Sequence, residues 1–444
     1  MKVKLSAAAM LALVLACCIF GLQVAQPTEA AASNSRAKAK NVIFMIPDGF
    51  SPAYAANYRL YKGEPSVMDS MFVGMVRTYS ADSALTDSAA AATAMATGYK
   101  TNNGMIGRTP DGIERKTILE AAREQGKATG LVATSSITDA TPAAFSSHVF
   151  SRKDESDIAQ QQLQIADVLL GGGKAFFLPE TMGGKQSSRN LLEEAKQRGY
   201  RVVENRAQLE LARGNRILGL FADGDMAPEL DREHTNEPSL KEMTGKAIDI
   251  LRRDKDGFFL LVEGSQIDSA GHYNDAAWAM KDTESFEEAV KLARKFAEDD
   301  GNTLVVVVGD HDTGGMSVGG YDQTDAKLEV LRQVQASGLY MAKELKTDRS
   351  NVKEVLKAYA GIDATAEEEV AIINAADAMQ AINSVISKRS LVGWNTYLHT
   401  GVDVPLYVFG PGSELFRGLH NNTDLPQLVA RVMNIDFGED KYKK

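Results

Sequence analysis

Asn41-Val42-Ile43-Phe44-Met45-Ile46-Pro47-Asp48-Gly49 is a mostly apolar run of strand length that stops at a Pro-Asp-Gly turn. Its apolar residues are consecutive rather than alternating, so both faces are buried, which suits a strand in the middle of a parallel sheet. Runs of the same kind recur at Ala128 to Ala133, Ala175 to Leu178, Arg216 to Phe221, Phe258 to Val262, Leu304 to Val308 and Val404 to Phe409. Helical patterns lie between them, at Ser156 to Leu170, Arg189 to Arg198, Ser239 to Arg253 and Asp275 to Glu298. Strands alternating with helices predict an α/β three-layer sandwich, a large and mostly parallel central sheet flanked by helices. In such sheets ligands bind just beyond the carboxyl ends of the strands.

The interval from about Ser317 to Leu391 breaks this alternation. It carries charged helical patterns at Thr324 to Leu345, Asn351 to Tyr359 and Thr365 to Ile386, the last opening with a capping box of Thr365 and Glu368. We read it as a helical insertion on the sheet's active edge, standing over or beside the site as a rim that limits substrate size or as a partner surface.

With 444 residues the chain exceeds the length at which single cores stop growing, so it is one large domain with insertions or two domains. Its net charge of −10, with no basic run, argues against nucleic acid or an anionic membrane surface as a partner. Lys2 and Lys4, the apolar segment Leu5 to Val24 and the small run Ala30-Ala31-Ala32 follow the order of a secretory signal. Residues 1–32 are therefore expected to be a leader cleaved near Ala32, which sends the protein outside the cytoplasm: secreted, periplasmic or on the cell surface. Two alternatives are a retained membrane anchor and processing before Cys17, which would leave a lipid there. Both cysteines, Cys17 and Cys18, lie in this segment, so a chain cut near Ala32 has no disulfide or thiolate chemistry.

Thr86-Asp87-Ser88 opens directly onto the helix-forming run Ala89 to Thr97, which stops at Gly98. A serine in the first turn faces unpaired backbone N–H groups and the positive end of the helix dipole, which favours an anion beside its oxygen. Asp87 can fix a cationic partner there, or either residue can simply cap the helix. The strand ends add metal-binding side chains. Asp48 follows the first strand, and Val262-Glu263-Gly264-Ser265-Gln266-Ile267-Asp268-Ser269-Ala270-Gly271-His272 sets Asp268 and His272 one helical turn apart. Val308-Gly309-Asp310-His311-Asp312-Thr313-Gly314-Gly315 follows another strand, and His399 lies in a Gly-flanked loop. Mixed imidazole and carboxylate sets suit zinc, and sets of carboxylates and hydroxyls suit magnesium.

Together the Thr-Asp-Ser-Ala-Ala-Ala-Ala-Thr-Ala, Val-Glu-Gly-Ser-Gln-Ile-Asp and Asp-His-Asp-Thr-Gly-Gly segments resemble the alkaline phosphatase family, metal-dependent phosphomonoesterases. The resemblance runs over most of Asn41 to Ile435 and is weakest in the insertion. It implies a single catalytic domain over 41–444 that hydrolyses small phosphate monoesters through a phosphoserine at Ser88, with two zinc ions and one magnesium, as a homodimer or monomer. Residue by residue, it implies one zinc held by Asp268, His272 and His399, and a second held by Asp48, Asp310, His311 and the Ser88 oxygen. It also implies a magnesium held by Asp48, Thr141 and Glu263, with Asp139 bonding its water. Arg152 would clamp phosphate, oriented by Asp87. The chain departs from the family's cationic or aromatic side chain at Ser269, and from the histidine of some branches at Thr313. Both departures leave phosphate affinity and pH optimum open. A phosphodiesterase or sulfatase on the same metal core and a non-catalytic phosphate-binding protein are the competing readings.

Overall fold

Asn41–Pro47 is the fifth strand of a ten-stranded sheet in the computed structural model, which describes residues 38–437. In spatial order the strands are Gly418–Asn421, Phe72–Arg77, Val404–Phe409, Thr303–Val308, Asn41–Pro47, Phe258–Gly264, Ala128–Ser136, Val168–Gly172, Ile217–Leu220 and Arg201–Val203. All run in one direction except Val404–Phe409, which is antiparallel to both of its neighbours. The leader expected over 1–32, its cleavage point and the Cys17 anchor lie outside the described residues. No helix among the described residues is long and apolar enough to cross a membrane.

Successive side chains on a strand point to opposite faces, so the unbroken apolar strands feed two cores at once. Ile43, Met45, Leu260 and Val262 enter one core, with the helices Pro52–Lys62, Leu240–Leu251 and Ala276–Asp300. Val42, Phe44, Ile46, Phe259 and Leu261 enter the other, with Ser88–Thr97, Ala140–Ser146, Glu155–Ile165 and Leu425–Met433. This is the expected mostly parallel sheet flanked by helices.

Register sets the active edge. Ile46 lies opposite Glu263 on one neighbouring strand, Met45 opposite Val307 on the other, and Ala133 opposite Glu263 one strand further out. The residues that follow these strands therefore emerge side by side at one carboxyl edge.

Some elements differ from expectation. The helix expected to reach Leu170 ends at Ile165, and the strand expected at Ala175 to Leu178 is a 3-10 turn, Lys174–Phe177. The real strand is Val168–Gly172. Leu169 and Leu170 fit the apolar spacing of the preceding helix, which hides it. Asp167 marks the break by accepting from the Thr129 N–H at 3.1 Å, and Gly173 turns the chain with φ at 86°. The edge strands Arg201–Val203 and Gly418–Asn421 are short and partly exposed, so they gave no apolar run to read, while Phe72–Arg77, one strand in from the edge, is partly exposed and interrupted by Gly74.

The insertion contains the expected helices, more finely divided. Thr324 to Leu345 is a 3-10 turn, Leu328–Gln333, followed by the helix Gly338–Glu344. Thr365 to Ile386 is Ala366–Asn374 and Ala378–Ser390, separated where Asp377 caps the second helix by accepting from the Gln380 N–H. The capping box of Thr365 and Glu368 is present. Leu328, Met341, Leu356 and Ile382 are buried in the same core as the helix Ala276–Asp300.

Candidate active site

Ser88 is the first residue of the fully buried helix Ser88–Thr97, and Asp87 is its cap, accepting from the Ala90 N–H at 2.9 Å. The other Asp87 oxygen accepts from the Gly104 N–H at 2.9 Å and pairs with Arg152 at 3.3 Å. Capping the helix and fixing a cation, posed by the sequence as alternatives, are both done by this one carboxylate. Arg152 also pairs with Asp139 at 3.1 Å. Sequence reasoning gave Asp139 no such partner. Two carboxylates thus hold the guanidinium from both sides near the start of the Ser88 helix.

Two groups of potential metal ligands form at the sheet's carboxyl edge. Asp48, Asp310 and His311 are one, and Asp268, His272 and His399 the other. In the first, His311 Nε2 lies 3.5 Å from Asp48 and 3.3 Å from Asp310, and the Ser88 hydroxyl is 3.1 Å from the same nitrogen. Asp310 has one oxygen anchored by the Gly49 and His311 N–H groups, each at 3.0 Å. Its second oxygen is buried with no hydrogen-bond partner, as is Asp48 Oδ1.

In the second group, the helix Gln266–His272 puts Asp268 and His272 on one face, 3.4 Å apart. His399 Nε2 lies 3.1 Å from His272 Nε2 and 3.6 Å from Asp268. The remaining nitrogens are committed elsewhere, His272 Nδ1 to the Tyr397 carbonyl at 2.6 Å and His399 Nδ1 to the Thr86 carbonyl at 2.9 Å. A ring that donates from Nδ1 to a carbonyl presents the bare Nε2 lone pair, the arrangement that orients a metal-ligating histidine. Two such lone pairs facing each other call for a cation between them.

Thr141 Oγ1 and both Glu263 oxygens are fully buried without a partner, and the Glu263 charge acts on Asp48. Burial, together with Asp310, Asp268 and Glu263, pushes the Asp48 carboxyl well up. Glu263 is pushed up by burial and by Asp139, and Asp310 by burial and Asp268. Burial, His399 and His272 push His311 well below the usual histidine range. Buried acids that repel one another, with orphaned oxygens, are costly as they stand and become favourable when cations join them. The donor sets fit divalent metals on that ground.

Thr313, read from the sequence only as a departure, ties the two groups together. Its hydroxyl donates to Asp268 and lies 3.2 Å from His311 Nδ1. The Asp312–Thr313 and His399–Thr400 segments pair as a short antiparallel ribbon, with His399 opposite Thr313, and the Thr400 hydroxyl donates to Asp312 at 2.7 Å. The ribbon closes the base of the insertion and sets the His399 ring on His311, centroids 3.6 Å apart. Gly49 has to be glycine here: its φ is 73°, and a Cβ would sit 2.8 Å from Thr313 Oγ1. Ser269 is half-buried and brings no charge to the site.

A family model described as alkaline phosphatase matches residues 39–435. Alkaline phosphatase 4 of Bacillus subtilis (strain 168) is 40% identical over 457 residues, covering 98% of this chain and 97% of that protein. Alkaline phosphatase 3 of the same organism is 43% identical, covering 90% of each. Among solved structures, the cold-active alkaline phosphatase of a psychrophilic Shewanella superposes with a TM-score of 0.82 at 34% identity, covering 88% of this chain and 99% of that one.

Proposed function

The chain belongs to the alkaline phosphatase family and is a phosphomonoester hydrolase, and on that premise we propose that it works through a covalent phosphoserine at Ser88. One observation carries this reading: the Ser88 hydroxyl sits at a helix start within hydrogen-bond distance of His311, among ligand groups otherwise made of acids and imidazoles. A centre that only bound phosphate would have no use for a serine there. Ser88 Oγ forms the bond to phosphorus as the ester oxygen leaves with the alcohol. Water then displaces the serine and releases inorganic phosphate. Arg152, held in orientation by Asp87 and Asp139, offers its planar fork to two phosphoryl oxygens and neutralises their charge.

Asp268, His272 and His399 would hold one zinc, and Asp48, Asp310 and His311, with the Ser88 oxygen, a second. Asp48, Thr141 and Glu263 form an all-oxygen set suited to magnesium. When bound, these metals supply the positive charge that stabilises the attacking and leaving oxygens of an in-line displacement. The orphaned lone pairs at Asp48, Asp310, Glu263 and Thr141 support the assignment.

The N-terminal order of lysines, apolar segment and small residues supports export, with cleavage near Ala32 or lipidation at Cys17. Residues 41–444 would then act as one catalytic domain carrying the insertion over about 317–391, as a monomer or homodimer.

The nucleophile is tested by quenching the metal-loaded enzyme in acid with excess labelled phosphate. Label is expected on Ser88 and absent in Ser88→Ala, whose turnover falls on the order of a thousandfold or more. An unlabelled wild-type serine would remove the covalent route.

A further inference from the structure

Where the insertion leaves and rejoins the sheet, a groove of about 530 Å³ lies open. That volume is within the range of small-molecule sites, roughly 300–1,000 Å³. Tyr321 lines it on the outgoing chain, Gln380 and Ser384 on the helix Ala378–Ser390, and Trp394, Asn395 and Tyr397 on the returning chain. The groove adjoins the ligand groups through the backbone. The Tyr397 carbonyl takes His272 Nδ1, and Asn274, two residues beyond His272, is also part of the lining.

The lining has a definite chemistry. None of its side chains is charged. Tyr321 is 42% exposed and Tyr397 48% exposed, while Trp394 is fixed by its indole N–H bond to Ser387 at 3.0 Å and its edge contact with Tyr54. A Cβ at Gly314 would sit 2.7 Å from the Trp394 ring, so the indole also rests on backbone. Gln380, Ser384 and Asn395 make no side-chain hydrogen bond to any described residue, which leaves their donors and acceptors for a ligand. The wall is not a relaxed loop: Tyr321 and Asp322 both take left-handed backbone, with φ of 59° and 58°, a costly conformation for side chains other than glycine.

This chemistry selects among the alcohols that a phosphomonoester can carry. An amine or carboxylate would lose water and meet no opposite charge. A long alkyl chain would strip water from the amides and hydroxyls and return no hydrogen bonds. A neutral ring bearing hydroxyls meets both demands, with its C–H faces against the aromatic rings and its hydroxyls on the amides and serine. We propose that this groove binds the leaving group of the substrate and that the leaving group is an uncharged sugar ring. The assignment rests on the phosphomonoesterase reading of the metal centre, and it makes the insertion a specificity element of that centre.

The test uses the full metal-loaded enzyme with methyl phosphate, glucose 6-phosphate and adenosine monophosphate as substrates and inorganic phosphate as inhibitor. Tyr321→Ala and Gln380→Ala are each expected to lower kcat/KM for glucose 6-phosphate by about tenfold, while methyl phosphate turnover and phosphate inhibition stay within about twofold. Tyr321→Phe, which keeps the ring, should recover most of the loss. Equal losses on methyl phosphate and glucose 6-phosphate mean a general disturbance and overturn the groove assignment. Unchanged glucose 6-phosphate kinetics overturn it too, as does a loss confined to adenosine monophosphate, which would give the groove to a base. A wild type that hydrolyses none of the three esters overturns the phosphomonoesterase reading itself, and the groove assignment falls with it.

Discussion

Thr313 shows how much one unassigned side chain can organise. Its hydroxyl reaches Asp268 of one ligand group and His311 of the other, while its carbonyl accepts from the Tyr54 hydroxyl at 2.6 Å. Groups that orient metal ligands typically matter by about 10–100-fold in metal affinity. Thr313→Val, which keeps the shape and removes the hydroxyl, should therefore weaken metal binding by about that factor with the fold intact. Competition against a chromophoric chelator measures it, and unaltered affinity would reduce Thr313 to packing. The sequence offered a signal for this residue in its place between Asp312 and Gly314, but hydrogen bonding to Asp268 joins positions 45 residues apart, and no local pattern reports that. Ser88, Asp87, Asp268 and His272 were legible because each sits in a single element whose period or cap is written locally. The Arg152 to Asp139 pair was not, because it depends on how a loop folds back over a helix start.

At the scale of elements, Glu120 of the helix Ile118–Glu124 is tied to His148, in the segment that leads from the helix Ala140–Ser146 to Arg152, at 2.9 Å. Burial opposes the His148 charge, yet the hydrogen bond and charge of Glu120, with the Gly107 carbonyl, outweigh it and raise the imidazole pKa. Burial likewise opposes the Glu120 charge, and His148 with the Thr117 N–H lowers its pKa on balance. The histidine's contribution is complete below its unfolded value of about 6.5 and is lost as pH rises through the raised folded value. That of the glutamate is complete above about 4.5 and is lost as pH falls through its lowered folded value. The pair should stabilise most between about pH 4.5 and 6.5. His148→Gln is expected to cost about 2 kcal/mol in urea unfolding near pH 5.5 and clearly less at pH 9. An equal cost at both would mean that the pair is a neutral hydrogen bond.

Most strands with an unbroken apolar run were read from sequence to within a residue or two, as for Asn41–Pro47 and Val404–Phe409, whereas Ala128–Ser136 runs three residues further than read and Ala175 to Leu178 is no strand. Those that depend on distant partners were missed or misplaced. Gly418–Asn421 has one exposed leucine and becomes a strand only because Phe72–Arg77 lies alongside. The insertion's helices are cut at Ser337, whose N–H and hydroxyl both bond to Asp231, more than a hundred residues earlier.

For the whole molecule, removing the metals should act on stability as well as on activity. A site saturated at about 100 times its Kd stabilises by about 2.7 kcal/mol. Chelation is therefore expected to abolish turnover and to lower Tm by several degrees, and zinc with magnesium should restore both. If Tm does not move while activity is lost, the orphaned carboxylates are not the groups that hold the metal. The ribbon of Asp312–Thr313 with His399–Thr400 has a further consequence, which concerns time. It joins residues nearly ninety positions apart, and His399 also reaches back to the Thr86 carbonyl across 313 positions. Contacts of such long separation form late, because chain entropy is lost before they reward it. Helices and the central strands can assemble while the centre is still open. In a refolding experiment, regained hydrolysis should trail regained circular dichroism, and a chain still being synthesised has no working centre until His399 has been made.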